Sequence, residues 1–290
     1  MLLDKAIARL LPVVPKPVVR VFASRYIAGA ALADAVRVVR ELNAAGMKAT
    51  IDVLGEEITN EQAARSIASS YLDVFETIER ERLDANVSVK LTALGLKLSY
   101  DLCKENLLSV LAQGRFVRID MEDSTTTGET LRLYRELRRE GHDGVGVVLQ
   151  AYLRRSLDDV RALADLEPNV RLCKGIYVEP PSLAYTDADS IRTSFVQCLD
   201  ALLESGAYVA AATHDEALIR EALARNVPEF QMLLGVREDR ARELVAGAHR
   251  LRVYVPFGEQ WYAYSLRRLQ ENPAMATTIA RATIGRAFRI

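Results

Sequence analysis

The chain has 290 residues, half of them apolar, and a formal net charge of −1. That is enough to bury the core of one large domain of α/β-barrel size, and a balanced charge argues against a nucleic-acid-binding surface. Three cysteines (Cys103, Cys173, Cys198) without a C-x-x-C and three scattered histidines (His142, His214, His249) indicate neither a disulfide framework nor a zinc site, and point to a reducing, cytoplasmic setting.

The first 45 residues read as an N-terminal helical arm. MLLDKAIARLLPVVPKPVVRVF is apolar, but Asp4, Lys5, Arg9 and three prolines interrupt it. No stretch reaches the ~18 apolar residues of a spanning helix. Up to Arg25 the arm holds five basic residues (Lys5, Arg9, Lys16, Arg20, Arg25) against Asp4. Such a face is ordinarily a solvated one; weak membrane contact is the alternative.

From residue 46 to 275 a pattern repeats. Short β-branched runs occupy 47–55, 86–95, 116–123, 145–152, 170–177, 208–215, 228–235 and 250–258. Helix-like segments lie between them, among others Asn60–Leu83 with Thr59 or Asn60 as N-cap, Gly128–Glu140, Ser156–Leu166, Asp187–Ser205, Glu216–Arg225 and Glu238–Ala246. Eight βα units predict a closed (β/α)₈ TIM barrel, and no G-x-G-x-x-G follows the first strand to suggest an open dinucleotide-binding sheet. Residues 276–290 form a C-terminal tail.

Active sites of such barrels sit at the strand C-terminal ends, so polar residues there come first. They are Lys90, Asp120 with Glu122, Gln150, Arg171 with Lys174, Thr213 with His214, Gln231 and Tyr254. Any one could be a paired residue in a polar interior layer. Six of eight strands ending in charge or amide is a stronger signal, since a barrel without a site would fill these layers with branched apolar side chains. After the last strand Pro256-Phe257-Gly258 leads into a helical segment with Tyr264, Arg267 and Arg268 at i, i+3 and i+4, on one face. Two adjacent guanidiniums form a natural seat for a carboxylate, although Arg pairs are also common on solvated faces.

The ordered set RLCKGIYVEP, ATHD and YVPFGEQWYAYSLRRLQENP, together with VSVKLTALG and VRIDMEDS, resembles proline dehydrogenase over roughly residues 45–275. The length is similar to the short monofunctional bacterial form. The resemblance implies a distorted barrel whose last helix swings over the strand C-terminal ends. It implies FAD-dependent oxidation of L-proline to Δ¹-pyrroline-5-carboxylate, with a non-covalent FAD, electrons passed to quinone, and a transient peripheral visit to the inner face of the membrane. It assigns catalytic roles to Asp120 and Arg171, and substrate binding to Lys90, Tyr254, Tyr264, Arg267 and Arg268, the last two on the carboxylate. Met121, Gln150, Arg171, Lys174, Gly175, Ile176, Thr213 and His214 would contact the flavin, the last two near its ribityl or phosphate part. Ile176 stands where the family has a small residue, Cys173 reads as a buried small hydrophobe, and Tyr264 favours proline over hydroxyproline.

Two other readings compete. A Schiff-base lyase of the aldolase type would use Lys174 or Lys90 as nucleophile, but it leaves Tyr264, Arg171 and ATHD without a role. A non-catalytic barrel would lack charge at its strand ends.

Overall fold

The structure, a computed structural model, describes residues 23, 25–55, 58–262 and 265. Eight parallel strands close into a barrel in sequential order: β1 Lys48–Val53, β2 Ala85–Val89, β3 Val117–Ile119, β4 Val145–Gln150, β5 Asn169–Cys173, β6 Tyr208–Ala212, β7 Glu229–Leu233 and β8 Leu251–Phe257. β8 closes on β1 from the pair Arg252–Lys48 to the pair Phe257–Val53. All eight predicted runs are strands, so the (β/α)₈ barrel stands. The helix expected over the strand ends lies outside the described residues.

The strands stop earlier than expected, as at β2 and β3, which end at Val89 and Ile119. Lys90, Asp120, Lys174, Thr213 and His214 therefore sit just past the ladders, in the first turn of the loops. There the side chain is free of the sheet's pleat and can turn toward the mouth.

The helical layer is α1 Leu32–Ala44, α2 Glu61–Arg80, α3 Tyr100–Leu111, α4 Ser124–Arg139, α5 Ser156–Arg161, α6 Ala188–Glu204, α7 Glu216–Ala224 and α8 Glu238–Ala246. α2 starts where the Asn60 side chain accepts from Ala63 N, and buries Ala64, Ala68, Tyr71, Val74, Phe75 and Ile78 at 3–4 spacing. α4 begins at Ser124, ahead of the expected Gly128, because Asp123 caps it through Thr125 N and outweighs the β-branched STTTG run. The segment 156–166 breaks after Arg161 and ends in a 3₁₀ turn, Ala164–Leu166. α3 was not among the predicted segments; Ser99 caps it, and its apolar residues spread too widely to mark one face. α1, part of the expected arm, packs against β8 and β1 and so joins the barrel's outer ring. None of the described helices is long and apolar enough to cross a membrane.

Period-2 alternation explains the barrel's two surfaces. Ile51, Val53, Val87, Val89, Val117, Ile119, Val147 and Leu149 are buried toward the helices. The alternate set is polar and bonds across the lumen: Arg171 of β5 reaches Ser88 of β2 and Gln231 of β7, none of them neighbouring strands. The interior is thus a polar network where most such barrels stack branched apolar residues. Small residues make room for it. Ala210 stands beside both Arg171 and Glu229 in the ladders, and Gly146 stands beside Arg118.

Candidate active site

Asp120, 9% exposed, is the centre of the site. Its Oδ1 accepts from Ser88 Oγ (2.5 Å) and Arg171 Nη1 (2.6 Å), and its Oδ2 from Tyr254 OH (2.8 Å). Lys90 Nζ approaches Oδ2 at 3.5 Å and donates to Tyr254 OH at 3.2 Å. Both cations also face the Tyr254 ring, Arg171 Cζ at 5.3 Å and Lys90 Nζ at 5.9 Å from its centroid. Four of the predicted residues, two from β5 and β8 and two from the turns after β2 and β3, are therefore in direct contact.

Two members of this network were missing from the sequence-based set. Asp52, fully buried at the end of β1, takes Lys90 Nζ on both oxygens at 3.0 and 2.9 Å. Ser88 bridges Asp120 and Arg171. The available signal was the alternation in ATIDVLG, where a lone carboxylate between Ile51 and Val53 must face the lumen. Tyr71 reaches from α2 to this layer, donating to the Ser88 carbonyl at 2.7 Å and accepting from Val53 N at 3.3 Å.

The electrostatics follow from burial and pairing. Burial works against the Asp120 charge, but Arg171, Lys90 and the Ser88 and Tyr254 hydroxyls outweigh it and hold the carboxyl below its usual range. Burial likewise opposes the Lys90 charge, and Asp52 with Asp120 outweighs it, leaving the ammonium well above its ordinary value. Asp52, the most deeply buried of the set, is pushed up by desolvation against the pull of Lys90.

A second cluster forms the rim over β5 and β6. Lys174 Nζ pairs with Asp215 at 3.1 Å, and Arg192 Nε reaches the same oxygen at 2.9 Å. Thr213 Oγ1 accepts from Asp215 N (3.1 Å), and His214 Nε2 accepts from Leu233 N (3.0 Å). That bond puts the neutral ring's proton on Nδ1. Burial first, then Arg237 and Lys174, pushes the imidazole down to about 4. Gly175 has φ +104°, and a Cβ there would lie 2.0 Å from the Tyr152 ring, so the loop can take this path only as glycine. Ile176 beside it is 41% exposed.

Gln150 Nε2 donates to the Glu122 carbonyl at 2.8 Å, and Met121 is buried next to Asp120. Glu122 accepts from Thr92 N at 3.0 Å, so it anchors the loop after β2. Gln231 accepts from Arg171 Nε at 2.5 Å and donates to Glu229 at 2.6 Å. Cys173 is only partly buried, because it ends β5 at the mouth; its thiol meets the Leu149 carbonyl. Arg171 Nη2 is buried and has no hydrogen-bond partner among the described residues. Tyr264, Arg267 and Arg268 lie outside the described residues.

Comparison with known proteins bears on this geometry. The family model described as proline dehydrogenase matches residues 35–281. Proline dehydrogenase 1 of Bacillus subtilis is 38% identical over 277 residues, 91% of each chain. Proline dehydrogenase of Deinococcus radiodurans is 34% identical over 278 residues, 90% of each. Among solved structures, proline utilization A from Bdellovibrio bacteriovorus, inactivated by N-propargylglycine, superposes with a TM-score of 0.78 at 28% identity. That alignment takes in 87% of this chain and 32% of the other, so the chain spans about a third of the solved protein. A match across most of the sequence, by a family model and by full-length relatives alike, leads to one assignment: the chain belongs to the proline dehydrogenase family, and is an oxidoreductase of it.

Proposed function

We propose that the chain oxidises L-proline to Δ¹-pyrroline-5-carboxylate with a non-covalently bound FAD and passes the electrons to quinone. The observation that carries the reading is the Asp120 network, which brings Lys90, Arg171 and Tyr254 together at the strand C-terminal ends. The residues present fit a flavin. Arg171 Nη2 is a buried donor with no acceptor among the described residues, and Lys174 and the Thr213–His214 turn form a polar rim suited to ribityl and phosphate oxygens. FAD, when bound, supplies the two-electron acceptor that the chain's own side chains cannot.

The side chains bind and orient. Arg267 and Arg268 hold the substrate carboxylate, with Tyr254 and Tyr264 against the ring. Lys90 and Asp120 fix the Tyr254 hydroxyl from both sides. Asp120 stays ionised, which makes it a positioning anion and a poor proton acceptor. Arg171 places permanent positive charge where negative charge accumulates during the reaction. Met121, Gln150, Gly175 and Ile176 line the cofactor side. Residues 46–275 act as the catalytic barrel, with 1–45 as an arm whose α1 packs on that barrel and 276–290 as tail.

Quinone is the acceptor this reading favours, because no nicotinamide fingerprint is present. Contact with the membrane would be peripheral, through the basic arm and through Arg281, Arg286 and Arg289 of the tail. Cationic clusters attract anionic lipid by about 1 kcal/mol per residue. A Schiff-base lysine fits less well: Lys90 is held as ammonium between two carboxylates, and a nucleophilic amine must be neutral.

An absorption spectrum before and after anaerobic proline tests the activity. Flavin bands that bleach on proline support it; a colourless active protein, or borohydride trapping of substrate on lysine, sinks it. Acid precipitation should release the flavin. Arg267→Met and Arg268→Met should each raise KM for proline about tenfold or more at normal flavin content; an unchanged KM moves the carboxylate site elsewhere. Proline-dependent reduction of NAD by the purified chain would refute the quinone assignment, and vesicle binding should weaken as salt rises.

A further inference from the structure

The opposite end of the barrel carries a feature that proline oxidation does not use. A cavity of about 590 Å³ opens among the N-terminal ends of the strands. Five cationic side chains line it (Lys48, Arg115, Arg118, Arg250, Arg252), against two carboxylates, Asp84 and Glu229. Both carboxylates are committed. Asp84 pairs with Lys48 at 2.5 Å. Glu229 Oε1 accepts from Arg252 Nε at 3.1 Å and from Gln231 at 2.6 Å, and Oε2 accepts from Tyr208 OH at 3.2 Å.

Three cations are left with little to answer them. Among the described residues Arg115 has only an exposed contact with Glu79 at 3.8 Å, of a kind worth little in water. Arg250 donates to the neutral Tyr208 hydroxyl at 3.1 Å. Arg118 is the telling case, because it is 2% exposed. Its Nη1 donates to the carbonyls of Val147 (3.0 Å) and Asn169 (2.6 Å), its Nη2 to the Asn169 amide oxygen (2.5 Å), and its Nε has no partner among the described residues. Among the described residues no carboxylate pairs with it, whereas buried charges in proteins are as a rule paired.

The arrangement is built into the sheet. A Cβ at Gly146 would stand 2.4 Å from Arg118 Nη1 and 2.7 Å from the Phe116 ring, so the adjacent strand is cut back to glycine at the position that seats the guanidinium. Phe116 then lies against its face, 4.9 Å from Cζ to the ring centroid. The wall around this charge also offers the amide side chains of Asn86 and Asn169.

We propose that this cavity binds a small multivalent oxyanion, phosphoryl or polycarboxylate, through Arg115, Arg118 and Arg250. Guanidinium forks match the paired oxygens of either chemistry, and a multivalent guest supplies the counter-charge that the wall lacks. The cavity opens at the N-terminal ends of the strands, on the face opposite the one where proline is oxidised, so the guest does not occupy the substrate's place.

Isothermal titration of the holoenzyme with pyrophosphate and, separately, with citrate, against chloride at matched ionic strength, tests it. One saturable site for at least one of the two is expected, weakened tenfold or more by the double substitution Arg115→Ala, Arg250→Ala. Tighter pyrophosphate assigns the phosphoryl class, and tighter citrate the polycarboxylate class. Both arginines are accessible at the cavity, and a thermal melt in chloride checks that the double variant folds; if it does not, Arg250→Gln alone takes its place. Binding of neither probe above chloride, or binding that survives the substitutions, overturns the proposal.

Discussion

Arg171 and Arg118 are buried guanidiniums of the same lumen, at opposite ends, and their surroundings differ in kind. Arg171 meets Asp120 at 2.6 Å inside a network of two carboxylates, one ammonium and two hydroxyls. Among the described residues Arg118 donates to two carbonyls and an amide oxygen and lies against the Phe116 ring, and burial first, then the charge of Arg171, pushes it down to about 9. One hydrogen-bonded line joins the ends, from Arg171 through Gln231 to Glu229 and Arg252. The strand C-terminal end is thus neutralised from within, so its charges are held still for chemistry. The N-terminal end keeps a positive surplus, the condition for receiving a charge from outside.

The largest expected effect comes from removing the hub. Asp120→Ala leaves Arg171 without a carboxylate partner and should cost about 3–5 kcal/mol in denaturant melts. Its kcat/KM for proline should fall by roughly 10²-fold or more, as expected when an organising charge is lost. A variant that keeps wild-type activity would show that the network is merely structural. Asp52→Ala should cost about 3 kcal/mol by exposing the same weakness at Lys90. Its activity loss should be smaller, because Asp120 still faces Lys90 at 3.5 Å. Equal losses of activity in the two variants would erase the distinction between hub and support.

The pH dependence concerns the rim. His214 is held down at about 4 in the folded chain, against about 6.5 when unfolded. Between those values the unfolded chain binds a proton that the native one refuses, so acid favours unfolding. Stability that is complete above pH 6.5 should fall by roughly 2–3 kcal/mol as pH drops toward 4. Thermal melts of wild type and His214→Gln should converge at low pH; parallel curves would show that the histidine is not the cause. Smallest of the four is Gly146→Ala at the other end. Its Cβ must displace the Arg118 guanidinium, at a cost of about 1–2 kcal/mol, with proline oxidation close to normal. A strong loss of activity there would mean that the two ends are coupled more tightly than the line through Gln231 implies.

Much of this molecule was legible before folding. Eight β-branched runs at regular spacing can close their hydrogen bonds and bury both faces only as a parallel barrel, so topology followed from period and count. The lumen-facing placement of Lys90, Asp120, Arg171 and Tyr254 followed from the same pattern, although Arg171 and Tyr254 stand mid-strand and Lys90 and Asp120 just past theirs. What period-2 alternation could not express is partnership across the lumen. Asp52 is a single carboxylate in a strand, and nothing local says that its mate stands 38 residues on, at Lys90, rather than in solvent. Ser88 became a member of the site because strands that are not neighbours face one another when the sheet closes, which sets it against Arg171. α3 escaped notice because its apolar residues mark no single face, and its burial is decided by what packs on it. Chain order and side-chain chemistry thus settled the barrel and most of its polar residues. Which charges meet, and that Arg118 pairs with no carboxylate among the described residues, was decided only by closure, because a buried charge is stabilised by neighbours that the sequence keeps tens of residues apart.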